Sequence, residues 1–249
     1  MIDFSDIRNS HGERLDCRHE HAAAGTRRHE WVVILAHGVT GNLDRPVIVD
    51  TAQALRSAGF DTLRFSFAGN GASDGDFRDA TPSREIGDLT AVIDNARRHY
   101  PKIAVVGHSM GAAVAVMCAA VDTRISALVS LAGMVDTRRF AETEFGDVVP
   151  GQGTMWDDPG CPLSQAFMDD LCNTLRSVLP QASRIGIPWL LVHGSADDVV
   201  LPDDTQSVAA LGLDHVESVI IEGGDHSFSD PGHKLAMTAR VADWMAKQA

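Results

Sequence analysis

Short apolar segments rich in β-branched residues alternate along most of this chain with longer segments whose apolar residues recur at helical spacing. This alternation is typical of an α/β protein, in which helices flank a mostly parallel central sheet. The predicted strands lie at residues 31–36, 61–67, 103–106, 125–131, 187–193 and 215–221. The predicted helices lie at residues 46–58, 82–99, 110–121, 203–211 and 231–247. A further pair of strands is predicted between residues 2 and 21, with its turn at His11 and Gly12.

One stretch interrupts the alternation, because no strand is evident between residues 131 and 187. A structureless loop of this size is unusual in a compact domain, so we expect helices here, the clearest at residues 165–179. Insertions after a sheet strand are common positions for lids. We therefore expect residues 1–249 to form a single α/β domain with a helical lid insertion at about residues 133–185.

The chain is strongly acidic, with 34 Asp and Glu against 21 Lys and Arg and a formal net charge of −13. Such a surface repels phosphate backbones and anionic lipids, so neither nucleic acid nor a membrane is an expected partner. The first residues do not resemble a signal peptide, and no apolar stretch approaches the roughly 18 residues of a membrane span. We expect a cytoplasmic protein, and assembly as a homodimer stays open.

The cysteines and histidines give no pattern typical of a metal site. The four cysteines lack zinc-binding spacing and fit free thiols, although a bridge between Cys161 and Cys172 is left open. His19 and His21 would share one face of a strand, but no further ligand surrounds them in the sequence, so a solvated strand is favoured. Neither a metal nor an organic cofactor is therefore expected.

The strongest chemical signal is the sequence GHSMG at residues 107–111, a GxSxG motif between an apolar strand and a helix of small residues. A turn this sharp strains its central residue, and the flanking glycines relieve crowding against neighbouring elements. The Ser109 hydroxyl is then presented at the carboxyl end of the sheet, where open α/β folds bind ligands. The Met110 N–H, at the start of the helix, can stabilise an oxyanion. These features predict Ser109 as a nucleophile.

A serine nucleophile needs a base that takes its proton and a carboxylate that orients the base. His226 lies in a glycine-containing loop directly after the last predicted strand, and Asp197 lies directly after the preceding strand. Both would meet Ser109 at the same edge of the sheet, in the chain order nucleophile, acid, base. By position alone, Asp198 and Asp136 stay open as alternatives for the acid.

A second oxyanion donor is expected from the loop after an earlier strand. Residues 37–42, HGVTGN, follow the predicted strand 31–36. Gly38 would let the backbone fold back toward the serine, which makes the Val39 N–H the natural donor.

These pieces, in this order, resemble the α/β-hydrolase superfamily over nearly the whole chain. The stretch HGVTGNLDRPVIVDTAQALRSAGFDTLRFSFAGNGASDG is similar to bacterial serine carboxylesterases of the cinnamoyl and feruloyl esterase group, which carry HGFTGN, then RFDFxGxGxSxG, then GHSxGG. HGSADDVVLP is similar to the HGxxDxVVP of that group, whose first Asp is the catalytic acid. The resemblance therefore favours Asp197 over Asp198.

The chain departs from that group at Ser66, where Asp is usual, at Asn70, where His is common, and at Ala112, which replaces a glycine. Feruloyl esterases of the group use lid polar groups, including a tyrosine, on the phenolic ring. The one tyrosine here, Tyr100, is far from the predicted lid.

The predicted lid instead offers aromatic side chains, which we expect to bind an apolar acyl or alcohol group of the substrate. These candidate substrate-binding residues are Phe140, Phe145, Trp156 and Phe167.

We expect a serine hydrolase that cleaves carboxylic esters of small to medium apolar or aromatic acyl groups through a Ser109–His226–Asp197 triad and an acyl-enzyme. Its expected partner is a small-molecule ester. The same triad would serve a thioesterase, an acyltransferase or a cofactor-free perhydrolase. A non-catalytic ligand-binding protein of the same fold is the alternative from another class.

Overall fold

A seven-stranded sheet forms the centre of the structure, a computed structural model that describes residues 3–23 and 28–249. The strands are β1 (Cys17–Glu20), β2 (Trp31–Ala36), β3 (Asp61–Phe65), β4 (Lys102–His108), β5 (Ile125–Leu131), β6 (Trp189–Gly194) and β7 (Val216–Ile221). They lie in the order β1-β3-β2-β4-β5-β6-β7, and each neighbouring pair is parallel except β1 with β3. The predicted α/β class is therefore confirmed.

Helices connect the parallel strands and cover both faces of the sheet. They are α1 (Pro46–Ser57), α2 (Pro82–Ala96), α3 (Met110–Ala119), α4 (Thr137–Phe145), α5 (Gln165–Asp169), α6 (Leu179–Ala182), α7 (Asp203–Ala209) and α8 (Pro231–Gln248). The starts of α1, α2 and α8 each carry a proline in the first turn, where the missing N–H costs no hydrogen bond. None of the helices in the described residues is long and apolar enough to cross a membrane.

The two faces of the sheet separate into two apolar clusters, because successive side chains of a strand point to opposite faces. Val32 and Ile34 belong to the cluster under α2 and α3. Val33 and Leu35 belong to the cluster under α1 and α8. All six residues of β2 are buried, which explains why its sequence is a continuous apolar run rather than an alternating one.

The prediction that residues 2–21 form a pair of strands is wrong. A turn does lie at His11 and Gly12, but only a single bridge, between Arg8 and Arg14, joins the chain on its two sides. The first true strand, β1, pairs instead with β3 at the edge of the sheet. Ile2, where the predicted pair begins, lies outside the described residues.

The segment between β5 and β6 consists of short helices, as predicted. A helix was expected at residues 165–179. The observed helical segment comprises α5 and a π-helical turn at Asp170–Leu175, and it ends at Arg176, whose φ is 61°. Cys161 and Cys172 both lie in this segment, and all four cysteines are free thiols.

Candidate active site

Ser109 occupies the sharp turn between β4 and α3, with a φ of 53° and a ψ of −121°. A residue with a Cβ rarely adopts a positive φ, so this conformation must be held by its surroundings. The Ser109 N–H donates to the carbonyl of Leu131 at 3.0 Å, and the Ser109 carbonyl accepts from the Met134 N–H at 3.2 Å. Because both partners lie in or just after the neighbouring strand β5, the sheet itself fixes the turn.

The helix that follows Ser109 packs unusually close to β2. A Cβ added at Gly111 would lie 2.3 Å from the carbonyl oxygen of His37 and 2.6 Å from that of Ala36. No side chain fits at that distance, so the second glycine of the motif is required by the approach of α3 to the end of β2. This contact brings the loop after β2 next to Ser109.

His226 lies in the loop after β7, and its ring contacts the side chain of Asp197, which follows β6. His226 Nδ1 lies 2.8 Å from Asp197 Oδ2. The other carboxylate oxygen, Oδ1, accepts the N–H groups of Val199 at 3.0 Å and Val200 at 2.9 Å. The two backbone bonds orient the carboxylate, so that its remaining oxygen faces the imidazole.

A second histidine, His193, also contacts this carboxylate and was not among the predicted site residues. His193 Nε2 lies 2.8 Å from the carbonyl of Val200 and 3.1 Å from Asp197 Oδ2. Since a carbonyl only accepts, the proton resides on Nε2, and the Thr205 hydroxyl donates to Nδ1 at 2.8 Å. The available signal was the histidine that opens HGSADD, four residues before the candidate acid.

The ionised form of Asp197 is favoured by these neighbours. Burial alone raises the pKa of this carboxyl, but the hydrogen bonds from His193 and His226 outweigh burial and hold the pKa well below its usual range. Asp197 therefore carries its charge throughout the physiological pH range, beside a ring that can accept a proton.

His108, the residue before Ser109, anchors the loop that carries His226. Its Nε2 lies 3.0 Å from the His226 carbonyl oxygen, to which it donates. Burial, followed by the nearby charge of His226, lowers the pKa of His108 to about 3, so its ring is neutral. The bond therefore ties the nucleophile turn directly to the loop of the candidate base.

The loop after β2 brings the Val39 backbone close to the serine. A Cβ at Gly38 would lie 2.8 Å from Ser109 Cβ and 3.3 Å from Ser109 Oγ, so only glycine permits this approach. His37 braces the loop, because its Nδ1 donates to the Gly38 carbonyl at 2.8 Å and its Nε2 accepts the Phe67 N–H at 3.0 Å. Burial lowers the pKa of His37 to about 4, which keeps the ring neutral and able to accept.

The two backbone N–H groups predicted to bind an oxyanion have no acceptor in the part of the chain that the structure describes. Neither the Val39 N–H nor the Met110 N–H donates a hydrogen bond to any of the described residues. Both residues border the same small cavity of about 10 Å³, which also contacts Asn70 and Phe167.

Ser109 and His226 line one pocket of about 470 Å³, which opens at the carboxyl edge of the sheet. Its wall is formed by the loop after β2, the start of α1, the loop after β7 and the start of α8. The lining residues are Gly38, Val39, Thr40, Gly41, Arg45, Pro46, Val47, His108, Ser109, Trp156, Val199, His226, Ser227, Ser229 and Lys234.

The four aromatic residues of the β5–β6 segment are placed differently from one another. Trp156 lines the main pocket and is 46% exposed. Phe167 borders the small cavity beside Val39 and Met110. Phe140 borders a different cavity, and Phe145 is 1% exposed, packed edge-on against Phe140 and Trp156.

The other two carboxylates considered for the acid lie elsewhere. Asp136 caps α4 by accepting the Arg139 N–H at 2.9 Å. Asp198 is exposed and, with Asp136, borders a cavity of about 40 Å³ that is separate from the main pocket. Of these candidates, the structure brings Asp197 to His226.

His19 and His21 form a group with Asp61 at the opposite edge of the sheet, and their possible ligand atoms lie within 4.8 Å of one another. Hydrogen bonds also connect this group to Tyr100. The Tyr100 hydroxyl donates to Asp61 Oδ2 at 2.6 Å, and it lies 2.8 Å from His19 Nε2. The His19 side chain is 8% exposed, so the expectation of a solvated strand is wrong at this residue.

The architecture recurs among solved structures. Est1E from Butyrivibrio proteoclasticus, solved with ferulic acid bound, superposes with a TM-score of 0.83 at 24% identity, covering 99% of this chain and 98% of that chain. A monoacylglycerol lipase from Paleococcus ferrophilus superposes with a TM-score of 0.74 at 20% identity, covering 95% of this chain and 100% of that chain. At these identities, the similarity shows a shared fold.

Sequence comparison identifies the family directly. The uncharacterized protein YfhR of Salmonella typhi is 25% identical over 234 residues, covering 82% of this chain and 72% of YfhR. The family model described as the alpha/beta hydrolase family matches residues 33–238, a range that spans the strands and loops carrying Ser109, Asp197 and His226. The chain therefore belongs to the alpha/beta hydrolase family.

Proposed function

We propose that the protein is a serine hydrolase that cleaves carboxylic esters. The observation that carries this proposal is the arrangement around one pocket: a strained Ser109 and a His226 ring both line it, and the far side of that ring is bound to Asp197 at 2.8 Å. A nucleophile, a base and an orienting acid are the groups that acyl transfer through a serine requires.

In the proposed reaction, His226 takes the Ser109 proton while the serine oxygen attacks the ester carbonyl carbon. Asp197 keeps the proton of the imidazole on Nδ1, so that Nε2 is the atom that accepts, and its charge stabilises the imidazolium that forms. His226 then returns the proton to the leaving alcohol oxygen. Water repeats the sequence on the acyl-enzyme and releases the acid.

The oxyanion of each tetrahedral intermediate would be bound by the Val39 and Met110 N–H groups. Neither donor has an acceptor among the residues that the structure describes, and the Met110 N–H also lies at the positive end of α3. The approach of Gly38 to Ser109 places the loop of the first donor beside the nucleophile.

A small-molecule ester with a small to medium apolar or aromatic acyl group suits the pocket. Its volume of about 470 Å³ falls in the range typical of small-ligand sites, and Trp156 and Val199 supply apolar surface. In this proposal residues 133–185 act as a lid, since Trp156 contributes to the pocket from that segment.

The test is the removal of the nucleophile. S109A should lower kcat for p-nitrophenyl butyrate by about 10⁴–10⁶-fold and abolish labelling by a fluorophosphonate probe, because the covalent step is lost. S10A, at an exposed serine in the N-terminal turn, serves as the matched control and should keep wild-type labelling.

Failure of the folded wild-type protein to label would contradict the proposal and favour a ligand-binding protein. A preference of more than tenfold in kcat/KM for acyl-CoA over oxygen esters of the same acyl group would favour a thioesterase. Both measurements use the unmodified chain and need no cofactor.

A further inference from the structure

The main pocket is lined by basic side chains, in contrast to the acidic chain as a whole. The chain carries 34 acidic against 21 basic residues, yet the described residues that line the pocket include Arg45 and Lys234 and no Asp or Glu. Charges that line a concave site act on a bound ligand at short range, where solvent screens them less than on an open surface. The charged side chains that line the pocket are therefore opposite in sign to the net charge of the chain.

Arg45 forms no ion pair with the residues that the structure describes. Its guanidinium Nη2 donates to the Thr40 carbonyl and hydroxyl oxygens, each at 3.3 Å, and no carboxylate of the described residues lies within 4.0 Å of it. These two bonds hold the side chain beside the loop of Val39 and leave the other guanidinium N–H groups unused. Arg45 thus presents several N–H donors in one plane, an arrangement that can bind a carboxylate or a phosphate through two parallel hydrogen bonds.

Lys234 adds a second positive charge to the pocket lining, at the start of α8. Its ammonium lies 2.8 Å from Asp50 Oδ2, and Asp50 does not line the pocket. Lys234 is thus partly neutralised and fixed in place, while Arg45 is the cation available to a ligand.

We propose that the natural ester carries an anionic oxygen group, a carboxylate or a phosphate, on its alcohol portion, and that Arg45 binds this group. The inference rests on the proposed ester hydrolysis. The alcohol portion is assigned because His226, which protonates the leaving oxygen, lines the pocket together with Lys234. Lys234 pairs with Asp50 of α1, the helix that begins directly after Arg45, so both cations lie where the start of α8 meets α1. The leaving alcohol therefore departs along the surface that the two cations border.

The experiment compares two esters that differ by one charge: 4-acetoxybenzoate, whose leaving group is anionic, and methyl 4-acetoxybenzoate, whose leaving group is neutral. The ratio of their kcat/KM values should fall by about tenfold in R45Q, mainly through KM, because one charge-assisted contact is lost. R45K, which keeps the charge but not the planar set of donors, should show an intermediate ratio. An unchanged ratio in R45Q would overturn the proposal.

R98Q is the matched control. Arg98 is exposed after the end of α2, at the opposite edge of the sheet, and its removal changes the net charge by the same amount. The ratio should stay at the wild-type value in R98Q. An equal fall in R98Q and R45Q would mean that net charge, and not Arg45, sets the preference, and would overturn the proposal.

Two further substrates locate the anion and identify its chemistry. With 4-acetoxyphenyl phosphate, a larger R45Q effect than with the carboxylate would identify phosphate as the preferred group. The pair p-nitrophenyl hemisuccinate and p-nitrophenyl butyrate tests the other placement, because the hemisuccinate carries its carboxylate on the acyl portion and the butyrate is neutral. A tenfold R45Q effect confined to that pair would overturn the assignment to the alcohol.

A binding measurement separates this inference from the proposed reaction. In the S109A background, calorimetry with 4-hydroxybenzoate should show a Kd about tenfold weaker when R45Q is added. Wild-type protein that hydrolyses both esters with no R45Q effect on the ratio would contradict only the anion proposal. Protein that neither labels nor hydrolyses, yet binds the anion through Arg45, would contradict only the ester hydrolase.

Discussion

Asp197 illustrates how the residue scale sets the chemistry of the site, because each of its carboxylate oxygens has its own set of donors. Oδ1 accepts the Val199 and Val200 N–H groups, and Oδ2 faces the rings of His193 and His226. A side chain with an NH₂ group in place of either oxygen would bring two donors together. Position 197 therefore requires a carboxylate, and an amide of the same shape would not satisfy the same donors.

The D197N variant tests this specificity. Because the backbone donors require an oxygen at Oδ1, the amide NH₂ would face His226 Nδ1 and force that atom to accept, leaving the proton on Nε2. His226 could then not take the Ser109 proton, and kcat for p-nitrophenyl butyrate should fall by about 10³–10⁴-fold. D198N, at the exposed neighbour, should stay within about threefold of wild type. A larger loss in D198N than in D197N would assign the acid to Asp198.

At the scale of the secondary-structure element, α2 carries a buried carboxyl on its inner face. Glu85 is 2% exposed, and its Oε2 has no hydrogen-bond partner among the described residues. Burial, followed by the nearby charges of Asp88 and Asp170, raises the pKa of Glu85 well above its ordinary value of 4.5. The helix is thus held by its apolar contacts and capped by Thr81, while this side chain opposes folding when ionised.

The consequence is a stability that falls with rising pH. The folded state keeps the Glu85 proton at pH values where the unfolded chain has lost it, so this side chain costs stability above pH 4.5 and costs none below. E85Q, which removes the charge at nearly constant volume, should raise the free energy of unfolding at pH 8 by about 1–3 kcal/mol. It should change that free energy much less at pH 4.5.

Urea unfolding at pH 4.5, 6 and 8 measures this effect. E222Q, at an exposed glutamate after β7, is the control and should shift the urea midpoint little at each pH. A parallel shift of E85Q at all three pH values would show that the charge of Glu85 is not the cause.

At the scale of the whole molecule, the β5–β6 segment shares its core with the sheet. Phe140, Phe167 and Leu171 belong to the same apolar cluster as Val105 and Leu128 of the central strands. The segment is also tied by polar contacts. The Asp170 carboxylate accepts the Ser83 N–H at 2.8 Å and the Ser83 hydroxyl at 2.6 Å, at the start of α2.

A shared core predicts that the β5–β6 segment and the sheet unfold as one unit, as expected of a single domain. Hydrogen exchange followed by mass spectrometry, in increasing urea, should show peptides from α4 losing protection at the same concentration as peptides from β4 and α3. Peptides from the exposed turn near His11 should exchange rapidly at every concentration. Earlier loss of protection in α4 and α5 would instead identify the segment as a separate, less stable unit.

The local sequence was sufficient for most elements, because their signals are short-range. The run WVVILA predicts β2 to the residue, and β5 was also predicted at its observed limits. The catalytic candidates followed from the same signals, since residues just after parallel strands meet at one edge of the sheet. The N-terminal pairing failed because the partner of β1 is β3, more than forty residues away, and no local pattern encodes that choice.

The sequence by itself determined the class of fold, the order of the elements and the positions at which side chains reach the carboxyl edge, because hydrophobic periodicity and glycine placement act over a few residues. Only the tertiary structure decided which of the side chains at that edge contact one another. It brought Asp197 to His226, added His193 next to the same carboxylate, and placed Arg45 and Lys234 in the lining of one pocket although 189 positions separate them in the chain. Such juxtapositions depend on how whole elements pack against one another, which is settled by contacts between distant parts of the chain.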